Sequence, residues 1–223
     1  MIIKVKNLEK IYSGKVSVHA LKGVSFEVEE GEFMAVMGRS GSGKSTLLHQ
    51  LGLLDTPTKG EITIDGINIL KMSEREKTYF RLNELGYVFQ EYALLPELNV
   101  LESVYLPFML QGVDKKEYIK KATEVIEKVG LEHRLHHLPR ELSGGEQQRV
   151  AMARAIVNNP KILFADEPCA NLDTQSSKTI LTMLKEINEN LNQTIVMVTH
   201  EPDDRKYVDR ALWLKDGEIE KIE

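Results

Sequence analysis

The 223-residue chain contains a single cysteine, Cys169, so it can form no disulfide within itself, and this composition suits a reducing cytosol. It also has no long uncharged stretch. The longest run without Asp, Glu, Lys or Arg, Ser103 to Val113, is 11 residues, against the roughly 20 that a membrane-spanning helix requires. The N-terminus alternates apolar with charged residues (Ile3, Lys4, Val5, Lys6) and offers no apolar signal-peptide core. A chain that is neither secreted nor itself inserted in a membrane is expected. Positive charge is not in excess either: 29 basic residues face 34 acidic ones, a net of −5. A coat for a polyanion is therefore disfavoured, no nucleic-acid partner is expected, and any phosphate recognition must be local. Internal repeats, low-complexity tracts and Ser/Gly/Pro-rich linkers are absent too, so composition marks no domain boundary.

What is present is an ordered succession of strand and helix patterns. Ile2 to Leu8 and Val24 to Val28 alternate apolar and polar, and the run Phe33 to Met37, bounded by Gly31 and Gly38, reads as a buried strand. A helix is predicted from Lys44, then a strand Glu61 to Ile64 closed by the turn pair Asp65-Gly66. Ser73 and Glu76 form a capping box that opens a helix to about Leu82, and Leu85 to Phe89 reads as strand. From Asn99 to about Asn158 the pattern is helical, with Ile119, Ala122, Val125, Ile126 and Val129 at three- and four-residue intervals. Strand Ile162 to Ala165, helix Thr174 to Asn190, strand Thr194 to Val198 and a hairpin through Asp216-Gly217 follow. This order predicts an α/β fold: a mostly parallel sheet, antiparallel β-structure at the N-terminus, and a helical subdomain inserted at about Leu94 to Arg140, between core segments 1–93 and 141–223.

Two segments carry chemistry by their residue types alone. Gly38-Arg39-Ser40-Gly41-Ser42-Gly43-Lys44-Ser45 satisfies the phosphate-loop pattern between a predicted strand and helix, with Thr46 adjoining the same site. Its glycines let the backbone turn N–H groups and a helix N-terminus onto phosphate oxygens, Lys44 adds charge at the β and γ phosphates, and Ser45 supplies a hydroxyl for Mg²⁺. Ile162 to Ala165 leads into Asp166 and Glu167, adjacent acids whose side chains leave a strand on opposite faces. In a chain with a phosphate loop, Asp166 is expected to hold hydrated Mg²⁺ and Glu167 to orient or deprotonate the attacking water.

Leu142-Ser143-Gly144-Gly145-Glu146-Gln147-Gln148-Arg149 resembles the signature motif of ATP-binding cassette ATPases, with Gln90, Asp173 and His200 at matching relative positions. The resemblance runs from Tyr12 to the terminal hairpin and implies a phosphate-loop NTPase core that hydrolyses ATP with Mg²⁺. It implies that Tyr12 stacks on the adenine, Gln90 reaches Mg²⁺, His200 holds the γ-phosphate and attacking water, and Asp173 lies in the loop by which two copies touch. Ser143, Gly144 and Gly145 open a helix, a second phosphate-facing terminus that one nucleotide does not need. A head-to-tail pair of chains, each closing over the other's nucleotide, is therefore expected. Cys169 stands where the family has Thr or Ser and is expected to be buried and inert; Glu201 replaces the commoner Asp after His200, with little consequence expected. The stretch Tyr92 to Pro107 and the run Gly52 to Gly60 resemble the lipoprotein-release and macrolide-export branch. The implied protein is the ATPase subunit of such an exporter, peripheral on the cytoplasmic face of the membrane and joined to a separate integral permease. The alternative is the ATPase of a non-transport membrane complex of the cell-division type. A soluble cassette ATPase of DNA repair or translation would need a coiled-coil insertion or tandem cassette that 223 residues do not hold.

Overall fold

The computed structural model describes all residues, Met1 to Glu223. The elements in chain order are β1 (Ile3–Tyr12), β2 (Val18–Val28), β3 (Phe33–Met37), α1 (Lys44–Leu51), β4 (Lys59–Ile64), β5 (Ile67–Asn68), α2 (Glu74–Glu84) and β6 (Leu85–Val88). They continue with α3 (Val100–Gln111), α4 (Lys115–Lys128), α5 (Gly144–Ile156), β7 (Ile162–Asp166), α6 (Thr174–Leu191), β8 (Thr194–Thr199), β9 (Arg210–Lys215) and β10 (Glu218–Ile222). No helix is long and apolar enough to cross a membrane. The chain forms two compact units, one of Met1–Arg81 with Lys185–Glu223, the other of Leu82–Leu184.

In the first unit an antiparallel sheet runs in the order β2-β1-β4-β5. Ile3, Val5 and Leu8 of β1 are buried, as are their cross-strand neighbours Phe26, Val28, Ile62 and Ile64. Period-two alternation holds from Ile3 to Val5, and a register shift at Asn7, φ 47°, returns Leu8 to the buried side three residues on; each such fully buried side chain contributes about 1.5–3 kcal/mol. β2 begins six residues before the predicted Val24, because Val18 to Lys22 pair with Glu9 to Tyr12 while lying largely exposed. An exposed antiparallel ribbon carries no apolar alternation to read. In the same unit β3 lies parallel to both β8 and β9, and β10 closes antiparallel on β9. All of β3 and β8 is buried, as continuous apolar runs of a covered parallel sheet require.

The second unit holds the parallel pair β6 and β7, in register from Leu85 beside Ile162 to Val88 beside Ala165. Gly86 is required by packing: a Cβ there would sit 2.3 Å from the Ala155 carbonyl oxygen of α5. Helices α3, α4 and α5 share an apolar cluster that includes Val104, Phe108, Tyr118, Ala122, Ile126, Val150 and Ala153. The predicted three- and four-residue spacing supplies it: Ala122, Ile126 and Val129 are buried and Ile119 and Val125 pack at its edge. Caps fix the helix starts. Asn99 and Glu102 form a reciprocal capping box on α3, and Asp114 accepts from the Lys116 amide to open α4. Gly112, at φ 76°, ends α3 in the left-handed cap that glycine adopts without strain.

Candidate functional site

In the first unit, β3 delivers the chain into Gly38 at φ 148°, and the loop turns again through Gly41 at 79° and Gly43 at 104°. A Cβ on Gly38 would lie 2.2 Å from the Leu214 carbonyl oxygen, and one on Gly43 2.5 Å from that of Ala20, so backbone walls both ends of the loop. Gly43 is the N-cap of α1 and no side chain caps that helix, so its leading N–H groups keep their capacity for an anion. Lys44 is buried at 4% exposure and folds back so that Nζ donates to the Arg39 carbonyl at 3.1 Å. Ser42 is also buried, and its hydroxyl meets no protein hydrogen-bond partner, while Gly217 N–H of the terminal hairpin donates to its carbonyl. Arg39, Ser40 and Gly41 form the exposed crest; Ser45 and Thr46 are half-buried in the first turn of α1.

Two further residues are brought to this loop. Tyr12, at the end of β1, donates its hydroxyl to Asp55 at 2.9 Å and also hydrogen-bonds Thr46 of α1. Its ring is 41% exposed, and the Lys10 ammonium sits 4.8 Å from its centroid while bonded to Asp55 at 2.7 Å. Burial, with Asp55 adding and Thr46 opposing, pushes the Tyr12 phenol above its ordinary value. Lys10 and Asp55 carry no signal in the sequence, since a lysine and an aspartate 45 residues apart share no pattern. His200 follows β8, whose last residue Thr199 is paired with Met37, the residue before Gly38. The histidine and the phosphate loop therefore leave the same end of adjacent parallel strands, where open α/β sheets place ligands.

The His200 turn is held by a buried bond. Thr199 donates its hydroxyl to Asp204 at 2.6 Å and accepts from the Glu201 amide at 3.1 Å. Burial pushes the Asp204 carboxyl above the usual carboxylate range against the Thr199 bond, with Glu201 and Asp203 adding and His200 opposing. Glu201 places its Oε1 3.2 Å from His200 Nε2.

In the second unit, β7 ends on Asp166, which is buried at 7% exposure, and Glu167 follows in the left-handed region at φ 44°. A glutamate there is strained, and the turn is tied by the Ala170 amide donating to the Glu167 carbonyl at 3.1 Å. Tyr87 lies on neighbouring β6, and burial, with the Asp166 charge adding, pushes its phenol upward. Cys169 is half-buried rather than buried, with Sγ 3.7 Å from the Ser177 carbonyl oxygen. Gln90 is exposed just after β6, and its carbonyl accepts from Asn171 Nδ2 at 3.2 Å.

Ser143 is the N-cap of α5. Its amide and hydroxyl both donate to Glu146 Oε2 at 2.8 Å, and its oxygen accepts the Glu146 amide at 3.3 Å. Arg134 Nε holds the other Glu146 oxygen at 2.9 Å. Burial raises the Glu146 carboxyl, but the Ser143 bonds and the Arg134 charge prevail and the net shift is downward. A Cβ on Gly144 would come 2.9 Å from the Tyr92 hydroxyl, and one on Gly145 3.0 Å from Ser176 Oγ. Asp173 caps α6, accepting from the Gln175 and Ser176 amides at 3.0 Å and from Ser176 Oγ at 2.6 Å. The segments of Ser143 and Asp173 thus meet through Gly145 and Ser176.

Comparison with known proteins gives the family. A model of the ABC transporter family matches residues 21–170. The chain is 42% identical over 222 residues to the lipoprotein-releasing system ATP-binding protein LolD of Shewanella frigidimarina, covering 99% of this chain and 93% of that protein. It is 47% identical over 217 residues to the macrolide export ATP-binding/permease protein MacB of Chlorobium luteolum, covering 97% of this chain and 32% of that longer protein. Among solved structures, a dimeric ATP-binding cassette in a post-hydrolysis state with ADP and phosphate superposes with TM-score 0.92 at 42% identity, covering 100% of this chain and 98% of the other. A family match across most of the sequence and a relative that aligns nearly end to end agree with the local geometry: the chain belongs to the ABC transporter family, as one of its ATP-binding ATPase subunits.

Proposed function

We propose that this subunit drives a separate membrane permease, two copies pairing head to tail around ATP to power export or extraction of the lipoprotein, macrolide or antimicrobial-peptide type. One observation carries the reading: a single chain has two glycine-opened helix starts of opposite construction, α1 without a side-chain cap and α5 capped by its own Ser143. One nucleotide needs one phosphate cradle, so the second has a use when it serves the nucleotide of another copy. Gly38 to Gly43 then wrap the phosphates, Lys44 neutralises them, Tyr12 offers its ring to the base, and Ser143, Gly144, Gly145, Glu146 and Asp173 face the second copy. ATP is a cytoplasmic fuel, which puts the subunit peripherally on the inner face of the membrane. The segment of about Leu94 to Arg140, with exposed Leu95, Met109 and Leu110, is the helical subdomain that docks on the permease.

In the reaction the Glu167 carboxylate accepts a proton from the water. The water oxygen bonds the γ-phosphorus as the bond to the β-phosphate oxygen breaks, and ADP leaves with the electron pair; His200 steadies the γ-phosphate. Ser45 hydroxyl, Asp166 carboxylate and Gln90 amide oxygen are hard oxygen donors, the set that Mg²⁺ takes beside substrate phosphates. The ion, when bound, neutralises charge on the β and γ oxygens. Glu167→Gln tests the whole reading: turnover should fall about 10²- to 10⁴-fold, and size-exclusion should show a dimer with ATP and a monomer without it. A monomer peak in both conditions together with normal turnover would overturn it.

A further inference from the structure

Arg154, in the last turn of α5, meets no charged partner; burial alone shifts its pKa, and downward. Its guanidinium instead donates through Nη2 to the Tyr92 carbonyl at 2.9 Å and through Nη1 to the Ala93 carbonyl at 2.5 Å. Those two residues follow Gln90 closely and are both left-handed, at φ 59° and 49°. Consecutive left-handed residues that carry a Cβ are a costly backbone, and neither position is glycine. The bend also brings the Tyr92 hydroxyl to the face of Gly144, and Asn171 fastens the Gln90 carbonyl from the other side. A desolvated guanidinium whose fork spans two successive carbonyls supplies the charge-assisted bonds that can hold such a bend, with a planar, preset geometry that a lysine's single ammonium does not reproduce.

We propose that Arg154 is a positioning residue for ATP hydrolysis: it pins the bend after Gln90 to α5, so that the Gln90 loop and the helix start at Ser143 move as one piece. This rests on the reading of Gln90 and Ser143 as parts of the nucleotide machinery. The consequence is that displacement of the loop at Gln90 is transmitted to the Ser143 turn through Arg154 rather than absorbed by a slack linker.

The test compares Arg154→Met, Arg154→Lys and the double variant Arg154→Met/Ala93→Gly with the parent chain. For Arg154→Met, kcat should fall about tenfold, equivalent to about 1.4 kcal/mol in the barrier, while the ATP dissociation constant stays within about twofold. Amide exchange over residues 91–98 should quicken, and Arg154→Lys should fall between parent and Met. Adding Ala93→Gly should recover about threefold in kcat, because glycine adopts the left-handed bend without steric cost. A kcat within about twofold of the parent with unchanged exchange would overturn the proposal. So would a lowered melting temperature that Ala93→Gly leaves uncorrected together with the lost turnover, since that outcome makes Arg154 only a packing residue of α5. If the parent chain itself fails to hydrolyse ATP, the functional reading falls, and the exchange comparison still decides whether the clamp exists.

Discussion

The starts of α1 and α5 are both written in glycine and serine, and they use glycine for different reasons. Before α1, Gly38, Gly41 and Gly43 all have positive φ, and the walls facing Gly38 and Gly43 are carbonyl oxygens of the backbone. At α5, Gly144 and Gly145 have ordinary helical geometry, and what faces them is the tip of a side chain, Tyr92 or Ser176. One glycine set shapes the chain; the other clears space in front of it. Motifs that look alike in sequence therefore answer the same substitution differently, because backbone cannot yield to a methyl group and a tyrosine hydroxyl can swing aside.

The largest expected effect follows from that contrast. Gly43→Ala should cost about 2–3 kcal/mol, or roughly 5–10 °C in thermal unfolding; a melting temperature unchanged within a degree would remove the distinction between the two starts. Smaller effects are expected at α5. Ser143→Ala forfeits the reciprocal cap with Glu146 and should lower stability by about 1 kcal/mol, whereas Gly144→Ala should cost less than about 1 kcal/mol yet reduce ATP turnover. Should Gly144→Ala unfold the chain as readily as Gly43→Ala does, the second set is conformational after all. The smallest effect is in pH. Asp204 has a raised pKa, so its folded-state proton adds stability below the ordinary carboxylate value, and that contribution is lost as pH rises through the raised one. Glu146 is lowered, so its contribution is present above the ordinary value and lost as pH falls through the depressed one. Followed from strongly acidic to neutral pH, the melting temperature should lose pH dependence above the ordinary carboxylate value in Asp204→Asn and below it in Glu146→Gln; changes confined to the same side for both variants would refute the assignment.

Much of this was legible in the sequence. Phe33 to Met37 reads as strand to the residue, because a parallel strand covered on both faces must be apolar throughout. The phosphate loop and the signature run are local, so their residues announce themselves together. What the sequence hid was long-range or conformational. The contact of Arg154 with Tyr92 and Ala93 spans 62 and 61 residues, and an arginine in a helix pattern looks like a solvated one. The left-handed turns at Tyr92, Ala93 and Glu167 carry no glycine to advertise them. Asp204 is a lone carboxylate in a polar run, which gives no sign of its burial. Family resemblance alone points to Tyr12, and its hydroxyl contacts with Asp55 and Thr46 are visible only in the fold.

The phosphate loop leans on the last hairpin: Leu214 faces Gly38, and Gly217 donates to Ser42 and accepts from Lys22. During synthesis the loop at residues 38–45 leaves the ribosome long before residues 214–217 are made, so until then it lacks the support behind it. Competence to hold nucleotide is thereby acquired only once residues 214–217 have been made, and a chain stopped before Leu214 should emerge with its motif intact and its affinity for ATP lost.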